Sequence, residues 1–112
     1  MSDRLASSVL VGALIRLAEA EGGFAAVLAK GDATSGSILI ILMERGANPA
    51  VYERLLGPSG TYRWASIAQA VENETEVPSL VASRRRFDPD LWALELDIPS
   101  AERFAAGMNA LC

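Results

Sequence analysis

The residues best equipped for chemistry in this 112-residue chain stand close together, in the nonapeptide RRRFDPDLW at positions 84–92. Arg84, Arg85, Arg86, Asp88, Asp90 and Trp92 form the candidate ligand-binding set. A guanidinium presents a planar fork of donors that matches a carboxylate or a phosphate. Paired carboxylates are the acid–base chemistry that remains when histidine is absent. Histidine is indeed absent from the whole chain. That removes Ser-His-Asp and Cys-His catalysis, imidazole metal ligands and the usual neutral-pH proton shuttle. The one cysteine is Cys112 at the C-terminus, so no internal disulfide and no thiolate zinc cage can form. No nucleophile stands at a useful spacing from a base, so no catalytic residue, cofactor or metal is assigned.

The same nonapeptide also reads as a structural corner, and the local chemistry favours that reading. Arg85 and Arg86 near a helix C-terminus meet the negative end of the helix dipole, worth about 0.3–1 kcal/mol each. Arg84 lies on the apolar stripe one turn after Leu80, where a guanidinium must snorkel or find a carboxylate. Asp88, four residues on, is within helical reach of it. Asp88-Pro89-Asp90 is turn chemistry, since each aspartate can accept from nearby backbone N–H groups. A binder of an anionic small ligand, or a weak metal-assisted enzyme, is the competing reading of this cluster. Glu95 and Asp97 share a strand face and could approach a hard cation, although a solvated face explains them as well. GDATSG at 31–36 has the glycines and hydroxyls of a phosphate loop, but it lacks the Gly-Lys-Ser/Thr ending and joins strand to strand. It reads as a turn, as does GPSG at 57–60.

The elements that must position these groups follow from hydrophobic periodicity. Residues 3–21 read as a helix with Asp3 as a possible cap and Gly22-Gly23 as its stop. FAAVLAK at 24–30 reads as a strand, and SILIILMER at 37–45 as a strand apolar on both faces and therefore mid-sheet. GANP at 46–49 is a turn, AVYERLL at 50–56 a half-exposed strand, and TYRWAS at 61–66 a short fourth strand. Glycine-bearing turns between them predict antiparallel hairpins. Pro78 can open a helix over 78–87, which Pro89 ends. LWALELDI at 91–98 alternates as a half-buried strand with Trp92 in the core, and Ser100 can cap a last helix at 101–108. The fold class expected is α+β: an antiparallel sheet of about five strands, a meander plus a C-terminal strand, with the helices packed on one side.

Composition sets the wider limits. A hydrophobic content of 51% with 21% charged residues is that of a globular chain, and the length suits a single domain over 1–112. The net charge of −4 argues against nucleic acid as a partner. Nine of the ten cations are arginine and Lys30 is the only lysine. The apolar run near the N-terminus is read as helix and not as a cleaved leader, because Asp3 and Arg16 interrupt the leader pattern and the polar positions recur at helical spacing. Nothing approaches the ~20 apolar residues of a membrane span. A lone terminal thiol fits a reducing, cytoplasmic setting. The first helix is apolar over more than the ~100° that one sheet face requires, so it is buried on two sides within the monomer or meets a partner chain. Leu10, Val11, Leu14 and Ile15 are accordingly the candidate interface, with a second copy in a homodimer or another protein as the partner.

One resemblance joins these readings. RRRFDPDLWALEL resembles the RxFDPDLWVVEIE signature of the small bacterial proteins grouped as domain-of-unknown-function family fourteen ninety-one. AEAEGGFAAVLAKGD is similar to that family's AEAAGAFAAVVRKGD-like segment, and TYRW to its short aromatic-basic strand. The likeness spans about residues 4–98. Ser83 and Arg84 stand where the family pattern has Arg-Gln, which weakens any role built on an arginine at position 83. The resemblance implies a small cytoplasmic α+β domain with no established activity, which narrows the fold and leaves function open. The missing histidine, the lone terminal cysteine and the wide apolar face of the first helix set the functional expectation, a non-enzymatic interaction or self-associating module.

Overall fold

In a computed structural model, which describes residues 6–111, three α-helices enclose a five-stranded sheet. The elements in chain order are α1 (Ser7–Ala20), β1 (Phe24–Ala29), β2 (Ile38–Glu44), β3 (Ala47–Leu56), β4 (Tyr62–Ile67), α2 (Val77–Phe87), β5 (Trp92–Ile98) and α3 (Ala101–Met108). Each predicted element is present within a few residues of its expected bounds. The proposed cap Asp3 and the terminal Cys112 lie outside the described residues.

The strand order is β1-β5-β2-β3-β4, which corrects the expected meander. β1 and β2 do not form a hairpin, because β5 returns from the far end of the chain and inserts between them. It runs antiparallel to β1 and parallel to β2, with Ile38 opposite Trp92 and Leu42 opposite Leu96. Only β2-β3 and β3-β4 are the antiparallel hairpins that the turns implied. The β2-β3 turn is tighter than GANP indicated. Arg45 and Gly46 both have positive φ, 54° and 78°, as a two-residue hairpin connection requires, and glycine takes that geometry without penalty.

Helices cover both faces of the sheet, a second correction to the expected arrangement. One core joins α1 and α3 to Ile38, Ile40, Leu42, Trp92, Leu94 and Leu96; the other joins Val77 and Val81 of α2 to Leu39, Ile41, Met43 and Ala93. Alternate residues of β2 point to opposite faces, which is why its six positions Ile38–Met43 are all buried. β5 was expected to be half-buried. As an inner strand it is covered on both sides at Trp92–Leu94, and only Glu95 and Asp97 remain partly open.

The helix ends are satisfied by neighbouring elements. Ser100 caps α3 as its sequence position implied, accepting from the Arg103 N–H at 3.4 Å. The Glu44 carboxylate accepts the Ala101 N–H at 2.8 Å. α1 has no side-chain cap; its Ser7 and Ser8 N–H groups donate to the carbonyls of Thr34 and Ala33 at 3.1 and 2.9 Å. Among the described residues, no helix is long and apolar enough to cross a membrane.

Candidate functional site

The arginines of the 84–86 run face different partners. Arg84 does not pair with Asp88, the partner that helical spacing offered; its guanidinium forms an ion pair with Glu53 on β3. Both side chains are about a quarter to a third exposed, so water still screens the pair and its net contribution is modest. Arg85 folds back over the end of α2 and donates to the carbonyl of Pro89 at 2.8 Å and to that of Lys30 at 3.4 Å. Its Nε is buried with no hydrogen-bond partner among the described residues. Arg86 is exposed. Two of the three guanidinium groups are thus engaged within the fold and do not converge on a common point.

The aspartates and the tryptophan belong to a brace between distant segments. Asp88 closes its own turn, its carboxylate accepting the Asp90 N–H at 3.2 Å. Asp90 contributes through its backbone: its carbonyl accepts the Asp32 N–H at 3.0 Å. The Trp92 indole donates to the Asp32 carbonyl at 2.7 Å, and the Trp92 N–H donates to the Ser37 carbonyl at 2.8 Å. These bonds reach the GDATSG loop, residues 31–36, which the sequence marked only as a turn, and Ser37 just after it. A Cβ on Gly31 or Gly36 would overlap the Asp90 carbonyl oxygen, so the two glycines are the space through which the 88–91 corner passes. Asp32 orders the loop from inside by accepting from the Ser35 and Thr34 N–H groups at 2.8 and 3.1 Å and from the Ser35 hydroxyl at 3.2 Å. These donors favour the ionised form and hold its carboxyl below the usual aspartate value.

The helical candidates are core residues. Leu10, Val11 and Leu14 are almost fully buried against the sheet within the monomer, and Ile15 is partly buried beside them. The wide apolar surface of α1 is therefore consumed by β-strands on one side and α3 on another, and three of its four candidate interface residues are not free to meet a second chain.

Unpartnered apolar surface lies elsewhere, on β1. Among the described residues this strand pairs with β5 only and forms one edge of the sheet. Phe24, Val27 and Leu28 are 67%, 47% and 41% exposed. Between β1 and α2 runs a groove of about 390 Å³ lined by Leu28, Ala29, Val77, Pro78, Val81 and Ala82, with Glu74, Arg85 and Glu95 at its margins. Residues directly opposite on paired strands share a face. Phe24 and Ala26, opposite Asp97 and Glu95, therefore lie on the α2 side, and Ala25 and Val27, opposite Leu96 and Leu94, on the α1/α3 side. The register slips between Val27 and Ala29, and this bulge turns Leu28 into the groove. Sequence reasoning placed the strand correctly but missed the surface, because FAAVLA carries no sign of which side lacks a neighbour.

A smaller recess of about 80 Å³ near the start of α1 is lined by Ser7, Ser35, Ser37, Arg54 and Tyr62. Its cation is engaged, since the Arg54 guanidinium lies 4.2 Å above the Tyr62 ring, and the Ser7 hydroxyl donates to the Gly36 carbonyl at 2.6 Å. Among the described residues, no three acidic or cysteine side chains are grouped to hold a metal ion.

Comparison with known proteins gives a consistent picture. The sequence model of a family described as "Protein of unknown function (DUF1491)" matches residues 5–106. The fold is similar to the crystal structure of a DUF1491 family protein from Caulobacter crescentus CB15, with a TM-score of 0.80 and 29% identity over 90% of this chain and 94% of that one. It is also similar to the solution structure of a protein from A. tumefaciens, with a TM-score of 0.75 and 31% identity over 90% and 92% of the two chains. No curated protein matches.

Proposed function

Because the chain belongs to DUF1491, a family described only as of unknown function, we propose from its physical surface that it is a non-enzymatic protein-interaction module whose working edge is β1. A single observation carries this reading: β1 is an edge strand of six residues without a charge, and it exposes Phe24, Val27 and Leu28 beside an apolar groove. Soluble proteins ordinarily blunt such edges with lysine, proline or a covering element, because unpaired N–H and C=O groups invite another strand. Strand addition would use both features at once, the backbone edge for pairing and the groove for side-chain selection. The absence of histidine and the single terminal cysteine also support a role in binding over catalysis. The arginine–aspartate corner is on this account the brace that holds the fold together.

The test is photo-cross-linking in cells of the source organism, with a photoreactive residue at position 27 and, as control, at exposed Ser59 in the β3-β4 turn. The reading expects a discrete adduct from position 27 and none from position 59. If neither position yields an adduct, the module reading fails.

A further inference from the structure

We propose that the strand added to β1 is β1 of a second copy, paired antiparallel about a twofold axis at Ala26. This rests on the reading of β1 as a working edge and specifies its occupant. A twofold interface must be self-complementary, each residue i that meets j finding j meeting i in return. Antiparallel pairing of β1 with its own copy has that symmetry at any register, so the side chains select the register. With Ala26 opposite Ala26 of the second copy, Phe24 falls opposite Leu28 and Ala25 opposite Val27. On the α2 side the sequence of pairs is then Phe–Leu, Ala–Ala, Leu–Phe, and on the other side Ala–Val, Val–Ala. On the α2 side two apolar Phe–Leu pairs flank a small central pair, and on the other side a large residue faces a small one.

The groove supplies the depth that a strand pair lacks. Leu28 forms part of its wall, so Phe24 of the second copy, opposite Leu28 and on the same face, stands at its mouth. At 67% exposure that ring has little contact within its own chain. An exposed aromatic and an apolar groove at matched positions on one self-complementary edge account for each other.

The charges agree with an antiparallel pairing and with no parallel one. The strand itself is uncharged; Glu21 precedes it and Lys30, the only lysine, follows it. Antiparallel pairing about Ala26 directs the Lys30 end of each strand toward the Glu21 end of the other copy. Within its own chain Glu21 pairs with Arg103 at 3.1 Å, so the incoming ammonium would share that carboxylate. A parallel arrangement would set Lys30 beside Lys30 and Glu21 beside Glu21. The two Glu95 side chains, each cross-strand from its own Ala26, end three strand spacings apart, about 14 Å, beyond the screening length at physiological salt. A contact of six residues per chain is small for an obligate dimer, so association is weak and concentration-dependent.

Sedimentation equilibrium across a concentration series, with far-UV circular dichroism as the check on folding, decides the matter. Wild type is expected to dimerise as concentration rises. Ala26→Glu sets two carboxylates face to face on the axis and weakens the dimer at least about tenfold, while the fold persists. Phe24→Ala weakens it as well. In a Cys112→Ser background, Ala26→Cys is expected to oxidise to a covalent dimer, since directly opposed strand residues are within disulfide reach; Leu28→Cys, four residues from its own copy across the axis, is not. The cysteine pair settles the register even if Ala26→Glu fails to fold. A wild type that stays monomeric to about 1 mM, a dimer indifferent to Ala26→Glu, or preferential linkage through Leu28→Cys overturns the proposal. Adducts from position 27 to a different protein would overturn the second copy as occupant and leave the module reading standing; absence of any adduct removes the module reading itself.

Discussion

Two acidic side chains that look alike in the sequence do different work. Asp90 enters the fold through its carbonyl, whereas Asp32, in a stretch marked only as a turn, accepts three hydrogen bonds with its charge. Its carboxyl is held below the ordinary value of 3.8, chiefly by the Ser35 and then the Thr34 N–H. A carboxyl depressed in the folded state contributes stability above its unfolded value and loses it as pH falls through the folded value. Asp32→Asn keeps an oxygen acceptor but carries no titrating charge. Thermal unfolding midpoints of wild type and Asp32→Asn are therefore expected to differ near neutral pH and to converge as pH falls through the carboxyl's lowered folded value. Midpoints that stay parallel across that range would show that the charge is not what orders the loop.

At the level of elements, local signals were legible and their neighbours were not. The positions of β2, α2, β5 and α3 followed from apolar periodicity, proline and the Ser100 cap, because these act within a few residues. The insertion of β5 between β1 and β2 left no local trace; both strands read the same whether β5 or a hairpin partner lies beside them. The Arg84–Glu53 pair was hidden for the same reason, as it joins residues 31 apart while helical spacing pointed to Asp88. Gly31 and Gly36 read as turn residues, although what they supply is room for the Asp90 carbonyl. That difference is measurable. Gly36→Ala forces a methyl into backbone oxygen and is expected to cost about 2–4 kcal/mol, on the order of 10 °C or more in midpoint for a domain of this size. Gly12→Ala, within α1 and near only the flexible end of Arg16, should instead gain about 0.5–1 kcal/mol. Equal effects at both glycines would remove the close-approach account of the loop.

For the whole molecule, the decisive feature is that the last strand is an inner one. β5 supplies residues to both cores and, among the described residues, is the only partner of β1. A fragment ending at residue 90 keeps four of five strands yet loses the link between β1 and the rest of the sheet. It is expected to lack a cooperative thermal transition, as calorimetry would show; a cooperative transition would mean that β2-β3-β4 and α1 suffice for a core. The same topology has a temporal side. A ribosome completes β1 about seventy residues before it completes β5, which at ordinary elongation rates is roughly 4–14 s. Throughout that interval FAAVLA has no strand to join on either side. The surface that serves as an edge in the finished protein is, in the nascent chain, an apolar segment awaiting its first partner, and nearby chaperones or neighbouring chains on a polysome meet it before β5 does.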